Sequence, residues 1–411
     1  MNLTVGDILA LPGLEALRLR AGQRHCHRPV RWYYVAENEG IADWVMGGEL
    51  VFVTGINHTR DEANLLRLLQ EGHQNGIAGM VILTGEAFIH AIPDSVVAQA
   101  DALGIPLIEQ PYMLKMVIVT QLVGTALVQR DSLLRSQREI LTQLLTGDYP
   151  SIELTRQRAS HLQLTLNRPH RVITLRLSGI PALFDNAPPD RAEAQLQAAR
   201  QALRQALEER LATLPASLPL VTLGELFILF WPEVDAAFLD GKAWLGEMRQ
   251  SLSPSLQPLS LFCGLSCTVT QAHHYRRGLG EARRALEVAE SMRPDKGICD
   301  FSALGVLQLL TAIPDQELLN RFMKETLGPL FATNRKHPAL LIDTLEAILQ
   351  ENGNVIKAAE RLGIHRNTLN QRLQRIERQS DHRVNDPQWR LNVSVALLIW
   401  RMSHAQQQEF L

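Results

Sequence analysis

The stretch GNVIKAAERLGIHRNTLNQRLQRIERQ, residues 353–379, decides how this chain is read. Asn354 is a residue type that closes the start of a helix, and a short helix is expected from Val355 to Leu362. Ala359 is small where two helices must cross closely, and Gly363 follows where a turn needs a positive φ at low cost. A second helix is expected to begin near His365–Arg366. Its apolar residues Leu369, Leu373 and Ile376 recur at four and three positions, which predicts one buried stripe. The remaining face presents Arg366, Thr368, Asn370, Gln371, Arg372 and Arg375. Arginine forks onto guanine, Asn and Gln pair with adenine, and Thr or Arg grips phosphate, so this face has the chemistry of a DNA reader. Helix, tight turn and a helix with a polar-basic outer face form the helix-turn-helix plan.

Charge supports that plan locally. Residues 354–383 hold seven Lys or Arg and three acids, net +4, while the whole chain is −2, leaving −6 elsewhere. The total of 41 basic and 43 acidic residues argues against a protein coated in positive charge, and the segregation restores one basic unit. Downstream, DPQWRLNVSVALLIWRMSH (386–404) reads as an apolar helix with Trp389, Val393, Ala396, Leu397 and Trp400 on one side. It either packs beneath the helix pair or also joins two copies, since such readers usually span two half-sites.

At 411 residues the chain has room for two to four domains of roughly 100–200 residues each. Its 46% hydrophobic and 20% charged residues exclude a disordered or collagen-like chain. Near the N-terminus, short β-rich runs at Val30–Val35, Glu49–Gly55, Gly79–Gly85 and Ile105–Gln110 alternate with helical patterns ending at Gly76 and Gly104. That alternation predicts a parallel sheet with helices packed on it. Residues 111–165 read as helical, a form suited to relaying a change between domains. From Arg168 to about Ser302 a strand, long helix, hairpin, strand and helix predict an antiparallel-containing sheet with helices on one face. The rest reads as helical. The fold class is thus multidomain α/β plus α: residues 1–125 an α/β sensor domain, 126–165 a helical connector, 166–302 an α+β domain, and 303–411 an all-α domain with its helix-turn-helix at about 354–378.

Ligands in α/β sheets settle beyond the carboxyl ends of the strands. Those ends carry Glu37, Asn38, Thr54, Gly55, Thr84, Gly85, Glu109 and Gln110, the candidate contacts for a small polar effector. Cys26, Cys263, Cys267 and Cys299 complete no zinc framework, and His25–Cys26–His27 lacks nearby carboxylates, so no metal site is expected. No nucleophile–base arrangement is readable, so no catalytic residue is assigned and no cofactor expected. The first residues lack a basic n-region before an apolar core, and the longest apolar stretch (116–128) is too short to span a bilayer. A cytoplasmic protein without a membrane partner is expected.

The C-terminal residues Gly353, Asn354, His365, Arg366, Asn367, Thr368, Leu369, Arg372, Leu373, Arg375, Ile376 and Glu377 resemble the terminal motif of the PucR/CdaR-type bacterial transcription regulators. WVMGGELVFVTG, GIAGMVI and GIPLI are similar to the ligand-sensing domain of that family. Tyr275, Ala282, Ala285 and Leu286 resemble the helix of its GGDEF-like domain, in which LGELF (Leu223 to Phe227) stands where an active cyclase has its Gly-Gly and paired acids. The resemblance implies a degenerate GGDEF-like middle domain without cyclase activity. It also implies base or phosphate contacts at His365, Arg366, Thr368, Asn370 and Gln371. Together with the pattern above, the expected DNA-binding set is His365, Arg366, Asn367, Thr368, Asn370, Gln371, Arg372 and Arg375. It implies double-stranded DNA, a small effector such as a purine-breakdown intermediate, and a second copy of the chain as partners. The function implied is metabolite-controlled transcription of purine or related nitrogen-compound catabolism genes. A metabolite-binding scaffold, or an α/β enzyme without a DNA role, are the rivals.

Overall fold

The computed structural model describes residues 3–56, 58–86, 89–214, 217–233, 240–292, 295–332 and 338–407. The chain divides into two compact units, Met1–Ile140 and Leu141–Leu411.

The first unit opens with helix α1 (Val5–Leu9), whose start is closed by Thr4 and Asp7 in a reciprocal cap. Strands β1 (Arg18–Ala21), β2 (Trp32–Ala36) and β3 (Glu49–Val53) follow, then helix α2 (Glu62–Gln74), strand β4 (Gly79–Thr84), helix α3 (Asp94–Leu103) and strand β5 (Leu107–Pro111). The sheet order is β1-β5-β4-β3-β2. β2 to β5 are parallel, as the alternation predicts, while β1 adds an antiparallel edge. β4 is buried along its whole length, as a strand covered on both faces should be. One cover is α2 and α3, which place Leu65, Leu68, Leu69, Val96 and Ala100 against Val51, Val53, Met80, Ile82 and Leu107. On the other, Val119, Val123 and Leu127 of helix α4 (Met116–Thr146) meet Phe52, Val81 and Ile108. The division between the two units falls inside α4.

The second unit takes in the end of α4 and continues with helix α5 (Ile152–His161) and strand β6 (His170–Ser178). Helices α6 (Ile180–Asn186) and α7 (Pro189–Thr213), the hairpin β7 (Val221–Leu223) and β8 (Leu226–Pro232), helix α8 (Gly241–Leu256) and strand β9 (Ser260–Val269) come next. Helix α9 (Tyr275–Met292) and strand β10 (Ile298–Asp300) complete a sheet of order β10-β9-β6-β8-β7. The pairings are antiparallel except that of β10 with β9. Here the expectation of helices on one face is corrected. α7 and α8 cover the face carrying Ile173, Leu175, Leu229 and Cys263, and α9 covers the other. The cause is Gly264, where a Cβ would collide with the Ala282 carbonyl and the backbone of Leu286, so α9 lies directly on β9.

Beyond Phe301 the described residues are helical, after a short turn at Phe301–Ala303. α10 (Leu307–Leu310) comes first, and α11 (Gln316–Ala332), α12 (Pro338–Gln350), α13 (Val355–Arg361), α14 (Arg366–Ser380) and α15 (Pro387–Gln407) pack on one another. α15 lies against α11, α12 and α9 through buried Trp389, Val393, Ala396, Leu397 and Ile399. Arg401 of α15 also grips Glu346 of α12 with two hydrogen bonds of 2.7 and 2.5 Å. Among the described residues no helix is long and apolar enough to cross a membrane.

Candidate nucleic-acid interface

The helix pair is built as its residues require. The Asn354 side chain accepts from the Ile356 and Lys357 backbone N–H groups at 3.1 and 3.2 Å and starts α13. Buried Ala358 and Ala359 sit at the close crossing, and Gly363 adopts φ +64° in the turn. His365 Nδ1 accepts from the Asn367 N–H at 3.2 Å, so this expected DNA contact is also the cap that starts α14. Arg361 pairs with Glu351 at 3.1 Å and ties α13 to the end of α12. Glu377 accepts from Val384 N–H at 3.0 Å and fixes the chain that leaves α14.

Leu369 and Ile376 are fully buried, whereas Leu373, expected in the same stripe, is half-buried. A helix advances about 100° per residue, which puts Asn367, Thr368, Gln371, Gln374, Arg375 and Arg378 around the outward direction. All six are exposed. Arg366 is exposed at the helix start, while Asn370 and Arg372 are half-buried at the two margins. Gln374 and Arg378 lie outside the expected set; the same helical period that gave Gln371 and Arg375 points to both. No acid stands in the first turn of α14, and Arg366 sets a positive charge at the positive end of the helix dipole. A phosphate placed there would relieve both.

The eight strand-end residues of the first unit do not gather into one pocket. Alternation along β4 and β5 sends Thr84 and Glu109 to the α2–α3 side and Gln110 to the α4 side. Thr84 Oγ1 donates to Glu109 at 2.9 Å, and Arg20 closes on the same carboxylate at 2.7 Å. Those two donors hold Glu109 ionised below the usual carboxylate range, although burial opposes them. Fully buried Gln110 donates to the Leu114 carbonyl at 2.9 Å, and its own carbonyl oxygen has no partner among the described residues. Glu37 is exposed, Asn38 and Gly55 half-buried, and Thr54 buried; Gly85 lies against Tyr112.

The residue that organises this end was not among those expected. Arg60, only 8% exposed, donates to the carbonyls of Ala36, Asn38 and Glu39 and to the Asn64 side chain at 2.7–3.2 Å. Burial pushes its pKa down, with the neighbouring Arg67 charge adding to the effect. Glu71 caps the same loop by accepting from Ile41 N–H at 2.6 Å. Where the loop rejoins β3, Glu49 accepts from Met46 and Gly47 N–H at 3.0 and 2.8 Å. The Gly-Gly-Glu motif therefore closes a turn at the start of β3.

In the second unit, the hairpin that stands for the GGDEF turn is tight, with Gly224 at φ +60° and Glu225 3.8 Å from Arg200. Among the described residues no group of three or more His, Cys, Asp or Glu lies at metal-binding spacing.

Family models match the chain in sequence order. Residues 7–127 match the purine catabolism regulatory protein-like family, 146–288 a GGDEF-like domain, and 341–399 the PucR C-terminal helix-turn-helix domain. The chain is similar to the DNA-binding transcriptional activator AdeR of Bacillus subtilis (strain 168), 28% identical over 39% of this chain and 38% of that protein. The purine catabolism regulatory protein of the same bacterium is 26% identical over 42% of this chain and 31% of its own length. Its proline-responsive transcriptional activator PutR is 24% identical over 35% of each. These matches span about a third of the length of each relative, and all three are named as regulators rather than enzymes.

Proposed function

The chain belongs to the PucR-type regulators, and on that premise we propose that it is a transcription regulator that reads duplex DNA through the outward face of α14. The exposed row Asn367, Thr368, Gln371, Gln374, Arg375 and Arg378 over buried Leu369 and Ile376 carries this reading. Such a face places Arg and Gln where they can reach base edges in a major groove, with phosphates taken at the helix start by Arg366 and the caps. It acts in the cytoplasm, as two or more copies on paired half-sites.

A small metabolite held at the strand ends of the first unit sets the activity, by a coupling free energy of about 1–3 kcal/mol between the two sites. The names of the relatives divide between purine catabolism and proline response, so the effector belongs to the broader class of small nitrogen compounds. Purine-catabolism genes are the first targets to try. The GGDEF-like domain serves as a non-catalytic module. Footprinting the full chain on the DNA upstream of its own gene, with purine-breakdown intermediates and proline in separate arms, tests the reading. One arm should change the operator affinity by about 5- to 150-fold, the span of that coupling energy. No protected site in any arm would remove the DNA-reading role.

A further inference from the structure

Residues 16–36 carry Arg18, Arg20, Arg24, Arg28 and Arg31 with His25 and His27, and not one Asp or Glu, a formal charge of +5. This tract is richer in positive charge than the helix-turn-helix, and with both set aside the rest of the chain stands at −11. The fold concentrates it. β1 runs antiparallel to β5, so it delivers residues 22–31 to the edge where the parallel strands begin, away from the candidate effector residues. Arg28 donates to the Ile77 carbonyl just before β4 at 3.3 Å, and Arg31 lies across Gly48 just before β3. The His25 ring stands against Gly104, with its centroid 6.3 Å from that of His27.

Within residues 22–31 the edge carries Arg24, Arg28 and Arg31 and no acid. Three acids of the adjoining segments are engaged by N–H or hydroxyl donors, while Asp43, beside Trp44, is exposed. Asp7 accepts from the Thr4 N–H and hydroxyl, Glu49 from Met46 and Gly47, and Asp101 from Gly22 N–H at 2.6 Å. Arg24 and Arg31 are exposed, and neither guanidinium has a hydrogen bond or ion pair among the described residues. Beside them Trp32, Trp44 and Met46 stand exposed at the ends of β2 and of the loop that enters β3. Two free guanidinium forks match phosphodiester oxygens in charge, and the His25 and His27 rings beside them offer N–H donors.

We propose that this edge of the first unit is a second nucleic-acid contact, taking the phosphodiester backbone of duplex DNA without reading its sequence. Phosphate contacts supply much of the affinity of any DNA-binding protein, and a small helix-turn-helix on an otherwise acidic chain has few. The inference rests on the reading of α14 as a DNA reader, and the test separates the two.

The affinity of the full chain for its footprinted operator, and for a scrambled duplex of equal length, is measured against salt for wild type, for Arg24→Ala with Arg31→Ala, and for Arg24→Lys with Arg31→Lys. The alanine pair should make the slope of log affinity against log salt shallower by about 1–2 and weaken both duplexes by the same factor. The lysine pair should keep the wild-type slope, which separates lost charge from lost folding. Coincident slopes for all three proteins would overturn the proposal. So would intact DNA binding with lost transcription in a purified polymerase system, which would mark the edge as a site for an acidic protein. A wild-type chain that fails to prefer its operator over the scrambled duplex would instead strike down the α14 reading.

Discussion

The outward face of α14 and the strand ends of the first unit are both rich in polar residues, and they spend them in opposite ways. On α14 the amide and guanidinium groups of Gln371, Gln374, Arg375 and Arg378 stand in solvent. At the strand ends Thr84, Glu109 and Arg20 hold one another, and Arg60 is consumed by three backbone carbonyls. Exposed polar groups cost little to leave unpaired, so they remain available to a partner. Buried ones must be satisfied inside the chain, and substituting them tests the scaffold before it tests a ligand.

The contrast is broken most directly at its exposed side. Gln371→Ala with Arg375→Ala should lower operator affinity at least about 30-fold, since each base contact is worth about 1–3 kcal/mol, while the melting temperature stays put. Arg372→Ala, at the half-buried margin, should cost less affinity and some stability. Equal losses from both variants would mean the reading face is rotated from the one described.

The buried side should respond in the other currency of measurement, stability. Arg60→Ala strands the Ala36 and Asn38 carbonyls, while that of Glu39 keeps the Asn64 and Arg67 donors, and should destabilise the first unit by about 4 kcal/mol, at about 1–3 per orphaned group. Denaturant unfolding, with hydrogen exchange followed at residues 36–41, would read it. An unchanged midpoint would show that the loop does not depend on this guanidinium.

A third case lies in the second unit. His170 is fully buried, its Nδ1 3.3 Å from the Tyr275 hydroxyl and its Nε2 without a partner among the described residues, and burial lowers its pKa to about 4. Above pH 6.5 the ring is neutral folded or unfolded and costs nothing. As pH falls below 6.5 the unfolded chain takes the proton first, so stability declines until about pH 4, by about 3 kcal/mol in all. His170→Asn should flatten that decline in a pH series of unfolding curves; an identical slope would assign the acid sensitivity elsewhere.

How much of this was legible in the sequence follows the same division. α14 was readable because one period sorts its residues, and Leu369 and Ile376 fix its buried side whatever they pack on. Gln374 and Arg378 lie three residues beyond Gln371 and Arg375 on that same period, further from the turn than the contacts the family resemblance implies. The first sheet was readable from its apolar runs, but not its antiparallel edge: β1 is only RLRA, half charged and half exposed. β10 has three residues, and α8 carries an internal Pro254, which weakens any helical pattern. The apolar side of α9 told that it is buried but not against which face of the sheet. Arg60 was invisible because its partners are backbone carbonyls more than twenty positions away, and carbonyls leave no mark in a sequence.

One detail of α14 has a kinetic consequence. Arg366 opens the helix with a charge its dipole opposes, a handicap of about 0.3–1 kcal/mol, and the His365 ring supplies the first cap. The opening turn is therefore the part of α14 most prone to fray in the free protein. Polyanion binding removes that handicap, so occupancy and helix initiation become one equilibrium. On the proposed reading, the Leu369 amide, the first of α14 to bond a backbone carbonyl (that of His365, at 3.2 Å), exchanges with solvent at a rate that counts bound DNA, and it can report operator occupancy where no chromophore has been attached.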